Sequence, residues 1–222
     1  MRGILLASPR AAVRHCPGWS IADLIRHHGG VHRWATRIVE TGEPAKEPDH
    51  DSGPDDIERL ADWYGDGASG LIEVLTHTDA DSACWTFGRP PGRAGFWVRR
   101  QALEAAIHRW DAQDAVGVAD GFAPEVSVAG ITEVVDDLFP RQIALGRTSA
   151  LSTPVTVRAT DLGRSWALPG VALRAGGPAE LAGPADVLLL LLWRRTDLYD
   201  PDLAISAPDA LAAELASVLF AP

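Results

Sequence analysis

The sequence predicts a helical region followed by a smaller region of mixed strands and helices, an α plus α+β chain in two domains. Three observations carry that expectation. Residues 21–39, 55–75 and 97–111 place their apolar side chains at helical spacing. Residues 154–160 (Pro-Val-Thr-Val-Arg-Ala-Thr) alternate with period two and are rich in β-branched residues. The run Gly183-Pro-Ala-Asp186 then starts an apolar helix through Trp193, ended by Arg194 and Arg195. The change of character falls near Gly146, giving expected domains 1–145 and 146–222.

The elements follow in order. Residues 1–14 read as a short helix with Ile4, Leu5 and Val13, broken by Cys16-Pro-Gly-Trp19. Ser20 is an N-cap, and Asp23 completes a capping box. Leu24, Ile25, His28, Val31, Ala35 and Ile38 then share one face, with His27 at its edge. Gly29 and Gly30 each cost about 1 kcal/mol relative to Ala, which is tolerable where another backbone or a ligand comes close. Residues 41–54 read as an exposed loop. Residues 55–75 form the second helix, on Ile57, Leu60, Trp63, Tyr64, Leu71 and Val74, with an interruption at Gly65-Asp-Gly67. Residues 76–93 are a second loop, and residues 97–111, without Gly or Pro, are the third long helix. Residues 117–122 turn the chain, and a short helix over 131–139 ends at Pro140. After the strand at 154–160, residues 165–168 pair back as a hairpin, 180–182 and 204–206 are further strands, and 209–220 is a closing helix.

Composition limits the function. A formal charge of -10, with Lys46 the only lysine, argues against a nucleic-acid surface, which needs a basic stripe. Residues 187–193 are too short an apolar run to span a membrane, and residues 1–6 lack the apolar core of a signal peptide, so the expectation is a soluble, cytoplasmic protein. Cys16 and Cys84 do not make a disulfide framework; they read as small buried hydrophobes.

The chemistry gathers on residues 97–111, where Gln101, Glu104, His108 and Asp111 form a polar stripe between two apolar edges. Glu104 and His108 stand one turn apart, so their side chains reach the same point. A carboxylate and an imidazole so placed can be two legs of a divalent-metal site; alone, the spacing also suits a solvated face. The helix over 21–39 offers a third leg from His27, His28 or His32, among which spacing does not choose. His15, His50 and His77 fall in loops or at helix ends. Three protein donors leave one position open, the catalytic rather than the structural pattern for zinc.

Three motifs carry a resemblance: Cys16-Pro-Gly-Trp-Ser-Ile-Ala-Asp-Leu-Ile-Arg-His27, Gly-Gly-Val-His-Arg-Trp34, and Phe96-Trp-Val-Arg-Arg-Gln-Ala-Leu-Glu-Ala-Ala-Ile-His-Arg-Trp-Asp111. Together they resemble the mycothiol-dependent maleylpyruvate isomerase family of actinobacteria. Ala159-Thr-Asp-Leu-Gly-Arg-Ser-Trp166 and residues 183–193 extend the resemblance into the tail. It implies a DinB-like four-helix bundle followed by a small α/β domain similar to sterol carrier proteins. It also implies a divalent metal, usually zinc, on His27, Glu104 and His108, and mycothiol as the thiol cosubstrate. A metal-bound thiolate would add to a small electrophilic acid; release after rotation gives cis-trans isomerisation, and release of the adduct gives thiol transfer. Two departures stand out. Leu103 occupies a position where many members carry His. Only residues 1–15 precede Cys-Pro-Gly-Trp, so the expected first helix is short or missing and leaves an apolar groove, with a homodimer or an unstable first domain as the consequence. Arg89, Arg93, Arg99 and Arg100 are candidates to hold the carboxylates of substrate or cosubstrate.

Overall fold

The computed structural model describes residues 1–46, 53–171 and 179–222, so His50 and part of the loop expected at 41–54 lie outside the described residues. The chain divides into two compact units, Met1–Asp120 and Gly121–Pro222.

The first unit is helical. Helix α1 (Arg2–Ala7) is much shorter than the 1–14 expected, because Pro9 has no N–H to give and its ring disfavours helical backbone in Ser8. Its Leu5 is fully buried. Helix α2 (Ile21–Thr41) starts at the expected capping box, in which Asp23 N–H donates to Ser20 Oγ and Ser20 N–H to Asp23 Oδ2. It stops at Gly42, whose φ of 71° suits a left-handed helix end. Helix α3 (Ile57–His77) is capped by Asp56 and runs unbroken through Gly65 and Gly67. Helix α4 (Ala94–Asp114) completes the set.

Contacts between pairs of residues fix the directions of these helices. Gly29 meets Trp63, His28 meets Tyr64 and Arg33 meets Gly67, so α2 and α3 run parallel. His27 lies by Glu104 and Trp34 by Trp97, so α4 runs antiparallel to α2. The close approach explains two glycines. A Cβ on Gly29 would overlap the Trp63 ring, and one on Gly67 would overlap the Arg33 guanidinium. That guanidinium lies 3.9 Å from the Trp63 ring centroid and donates to the carbonyls of Gly29 (3.0 Å) and Trp63 (2.7 Å).

The apolar interior of this unit has two parts. One joins Ile21, Leu24 and Ile25 to Leu60, Ala61 and Ala112; the other joins Ala35, Ile38 and Val39 to Leu71, Ala94 and Trp97. Cys84 is buried in the second part. Along the helices, His27, His28, His32, Tyr64, Glu104 and His108 fall between the two as a polar layer.

In the second unit α5 (Pro124–Glu133) continues through a π-helical turn (Val134–Leu138) into α6 (Phe139–Ala144). The expected stop at Pro140 therefore does not occur. The wider π turn, in which Phe139 N–H bonds to Val134 O, makes room for a ring that would strike the carbonyl in a regular helix. Strands β1 (Val155–Ala159), β2 (Arg164–Leu168), β3 (Ala179–Gly183) and β4 (Ala204–Ser206) form one sheet in the order β2-β1-β3-β4. β1 and β3 are parallel and the other pairs antiparallel. Val155, Val157 and Ala159 alternate inward, as their pattern requires. Helix α7 (Ala185–Leu192) packs on α5, where Gly130 lets Leu189 approach, and α8 (Asp209–Ser217) closes the chain. Sequence character changes near Gly146, whereas packing divides the chain at Asp120–Gly121, because α5 packs on α7. Among the described residues no helix is long and apolar enough to cross a membrane.

Candidate metal centre

Helix α2 brings His27 to the edge of the polar layer, where its ring lies 4.9 Å from that of Trp19. Helix α4 supplies the other two donors. Glu104 Oε1 is 3.1 Å from His108 Nε2 and 3.7 Å from His27 Nε2. One ligand atom each from His27, Glu104 and His108 lie within 4.8 Å of one another. The set is sheltered but reachable, with side chains 17%, 12% and 7% exposed respectively. Two imidazole nitrogens and a carboxylate oxygen are the donor chemistry that zinc and its neighbours take, so the residues fit a divalent ion.

Two further side chains on α4 fix this set. Asp111 Oδ2 lies 3.0 Å from His108 Nδ1, with the carboxylate fully buried. Accepting the Nδ1–H there leaves the Nε2 lone pair facing Glu104 and His27. Arg100, 4% exposed and one turn before Glu104, pairs its Nη2 with Glu104 Oε2. It is therefore turned to the protein's own carboxylate. The other arginines differ. Arg93 precedes α4 and donates to Asp81 O (2.8 Å), Arg99 lies over the Phe96 ring at 5.7 Å, and Arg89 is exposed in the loop before α4.

His28 and His32 adjoin the set on the same layer, the His28 ring 5.4 Å from that of His108. His28 is fully buried, with Nδ1 3.1 Å from the Tyr64 hydroxyl, and its ring is 4.3 Å from that of His32. Burial, then the neighbouring His32, holds the His28 imidazole well below its ordinary range. Burial, then Arg33, lowers His32 to about 4, and burial pushes the Tyr64 phenol up to about 12. His15 lies 3.7 Å from Asp114, and His77 is bonded to Glu73 O in its own helix. The sequence marks Tyr64 only as part of the apolar face of its helix, because the register of α3 on α2 leaves no trace in spacing. Arg100 beside Glu104 was legible as a four-residue ion pair.

Fold and site together define a class: a helical unit carrying a histidine–carboxylate–histidine donor set of the divalent-metal type, followed by a small mixed-sheet unit. Residues 2–113 match the model of the mycothiol maleylpyruvate isomerase N-terminal domain, and the chain belongs to that family. The match spans α1 to α4 and all three donors. Among solved structures, the chain is similar to the mycothiol-dependent maleylpyruvate isomerase (TM-score 0.58, 15% identity) and to a histidine-to-alanine mutant of that enzyme (TM-score 0.57, 11% identity). Each likeness covers 89% of this chain and 82% of the other. At these identities it is a likeness of fold. No curated protein matches the chain.

Proposed function

We propose that the chain is a mycothiol-dependent isomerase of small electrophilic organic acids, working at a divalent metal, zinc by preference, on His27, Glu104 and His108. The observation that carries the reading is the meeting of those three donors inside the segment matched to the family. When bound, a divalent ion there supplies the positive charge that converts a thiol to its thiolate near neutral pH.

The chain's own residues do the rest. Asp111 sets the tautomer and angle of His108, Arg100 holds Glu104, and Trp19 covers one side of His27. The two apolar clusters flank the layer and limit its contact with water, which strengthens each of these interactions. Arg89, Arg93 and Arg99, on the loop before α4 and its first turns, supply positive charge that attracts the carboxylates of substrate or cosubstrate in this reading. The thiolate adds to the electron-poor carbon of a conjugated acid, and the former double bond, now single, rotates. Expulsion of the same thiolate restores the double bond in the other geometry, so the thiol is returned unchanged.

The test is calorimetry with mycothiol in two buffers of different ionisation enthalpy, on metal-loaded and metal-free protein, beside a spectrophotometric assay of maleylpyruvate isomerisation. A free thiol has a pKa near 8.5, so binding as thiolate releases about one proton per site. Equal binding without metal, or no proton release, overturns the proposal.

A further inference from the structure

We propose that Arg100 is a positioning residue that divides the Glu104 carboxylate, withholding one oxygen so that the other alone serves the metal. The inference rests on the metal-centre reading above. Glu104 Oε1 faces His108 Nε2 at 3.1 Å and His27 Nε2 at 3.7 Å, while Oε2 is taken by Arg100 Nη2. The two oxygens of one carboxylate therefore have different partners. Arg100 and Glu104 stand one turn apart on a 21-residue helix, so the backbone holds the pair in place. Arg100 is 4% exposed, and a guanidinium that deep is costly without an anionic acceptor; rotating Glu104 to offer both oxygens elsewhere would break that pair. Arginine suits the task because it stays charged under burial, whereas a buried lysine readily gives up its proton.

The division has two consequences for this chain. A carboxylate that offers one oxygen keeps the donor number at three and leaves room for a thiol and a substrate. The positive charge of Arg100 also offsets one of the two negative charges of Glu104 and Asp111. With a divalent ion added, the group stays net positive and attracts an anionic sulfur. Without Arg100 it becomes neutral.

Cobalt(II) is the probe, because its visible absorption weakens sharply as coordination rises above four. Cobalt-loaded parent, Arg100→Met and Arg100→Lys proteins are compared by absorption and by titration with thiocyanate, a monovalent anion. The expected result is that Arg100→Met keeps one cobalt per chain but shows visible bands several-fold weaker, as Glu104 turns both oxygens to the ion. Its thiocyanate affinity falls by about tenfold or more, from loss of one nearby charge. Arg100→Lys, whose ammonium the Glu104 carboxylate favours but which lacks the planar fork and is more easily discharged by burial, gives intermediate values and serves alone where Arg100→Met does not fold. Bands and thiocyanate affinity unchanged from the parent in a folded variant overturn the positioning role and leave the metal centre standing. A parent protein that takes up no cobalt overturns both.

Discussion

Asp111 offers a measurable test of how the ring of His108 is held. Its carboxylate is fully buried and lies 3.0 Å from His108 Nδ1, so Asp111→Ala leaves a buried imidazole N–H without that acceptor. An unsatisfied buried donor costs about 1–3 kcal/mol. Loss of an orienting partner behind a metal-bound histidine lowers metal affinity by about ten- to a hundredfold, or about 1.4–2.7 kcal/mol. Asp111→Asn keeps a carbonyl oxygen at similar reach and gives up only the charge, so its loss is smaller. Zinc affinity, measured by competition with a chelator of known strength, should therefore rank parent above Asp111→Asn above Asp111→Ala. Circular dichroism confirms that each variant is folded. A folded Asp111→Ala protein that binds zinc as tightly as the parent would mean that packing alone orients the ring.

Other substitutions separate the roles of neighbouring residues. His27→Ala, Glu104→Gln and His108→Ala should each abolish stoichiometric zinc while helicity is retained, whereas His32→Ala should keep the metal; elemental analysis decides. Gly29→Ala forces a methyl group onto the Trp63 ring, an overpacking cost of about 1–3 kcal/mol against a helix-propensity gain of about 1. Gly65→Ala meets nothing within 4 Å and should stabilise by about 0.8–1 kcal/mol, so denaturant midpoints should move in opposite directions. His32 titrates near 4 in the folded chain against an ordinary 6.5, so the unfolded state binds the extra proton between those values. The metal-free protein should hold its full His32 contribution above about pH 6.5 and lose on the order of 3 kcal/mol as pH falls to 4. Urea melts of His32→Gln should show a flatter acid limb; an unchanged limb would refute the assignment.

What the sequence could disclose depended on how local the physics was. Glu104 and His108 were legible because helical pitch alone fixes a four-residue separation, and the Ser20–Asp23 cap because its two bonds lie within one turn. The choice among His27, His28 and His32 was not, since it turns on the rotation of α2 about its axis. That rotation is set by Gly29 lying against Trp63, from a helix more than thirty positions away. Only the resemblance singled out His27. Breakers misled in both directions. Pro9 ended α1 early, but Pro140 did not end its helix, because a π turn absorbed the ring, and Gly65 and Gly67 were carried by packing. The boundary between units was obscured for a related reason: the packing partner of α5, α7, lies far along the chain.

The placement of the three donors also bears on how the chain unfolds. Glu104 and His108 belong to one turn of one helix, so an ion can meet that half of its site as soon as α4 forms. His27 joins only after a loop of ~77 residues has closed, containing all of α3 and the parallel crossover that leads into it. Closing a loop of that length costs entropy that grows only logarithmically, but the native topology must be nearly complete before the ends can meet. An ion bound across them therefore stabilises a late contact, one weakly formed in the transition state. Metal binding should slow the unfolding rate far more than it speeds folding, so that a bound ion acts as a kinetic clasp on the bundle.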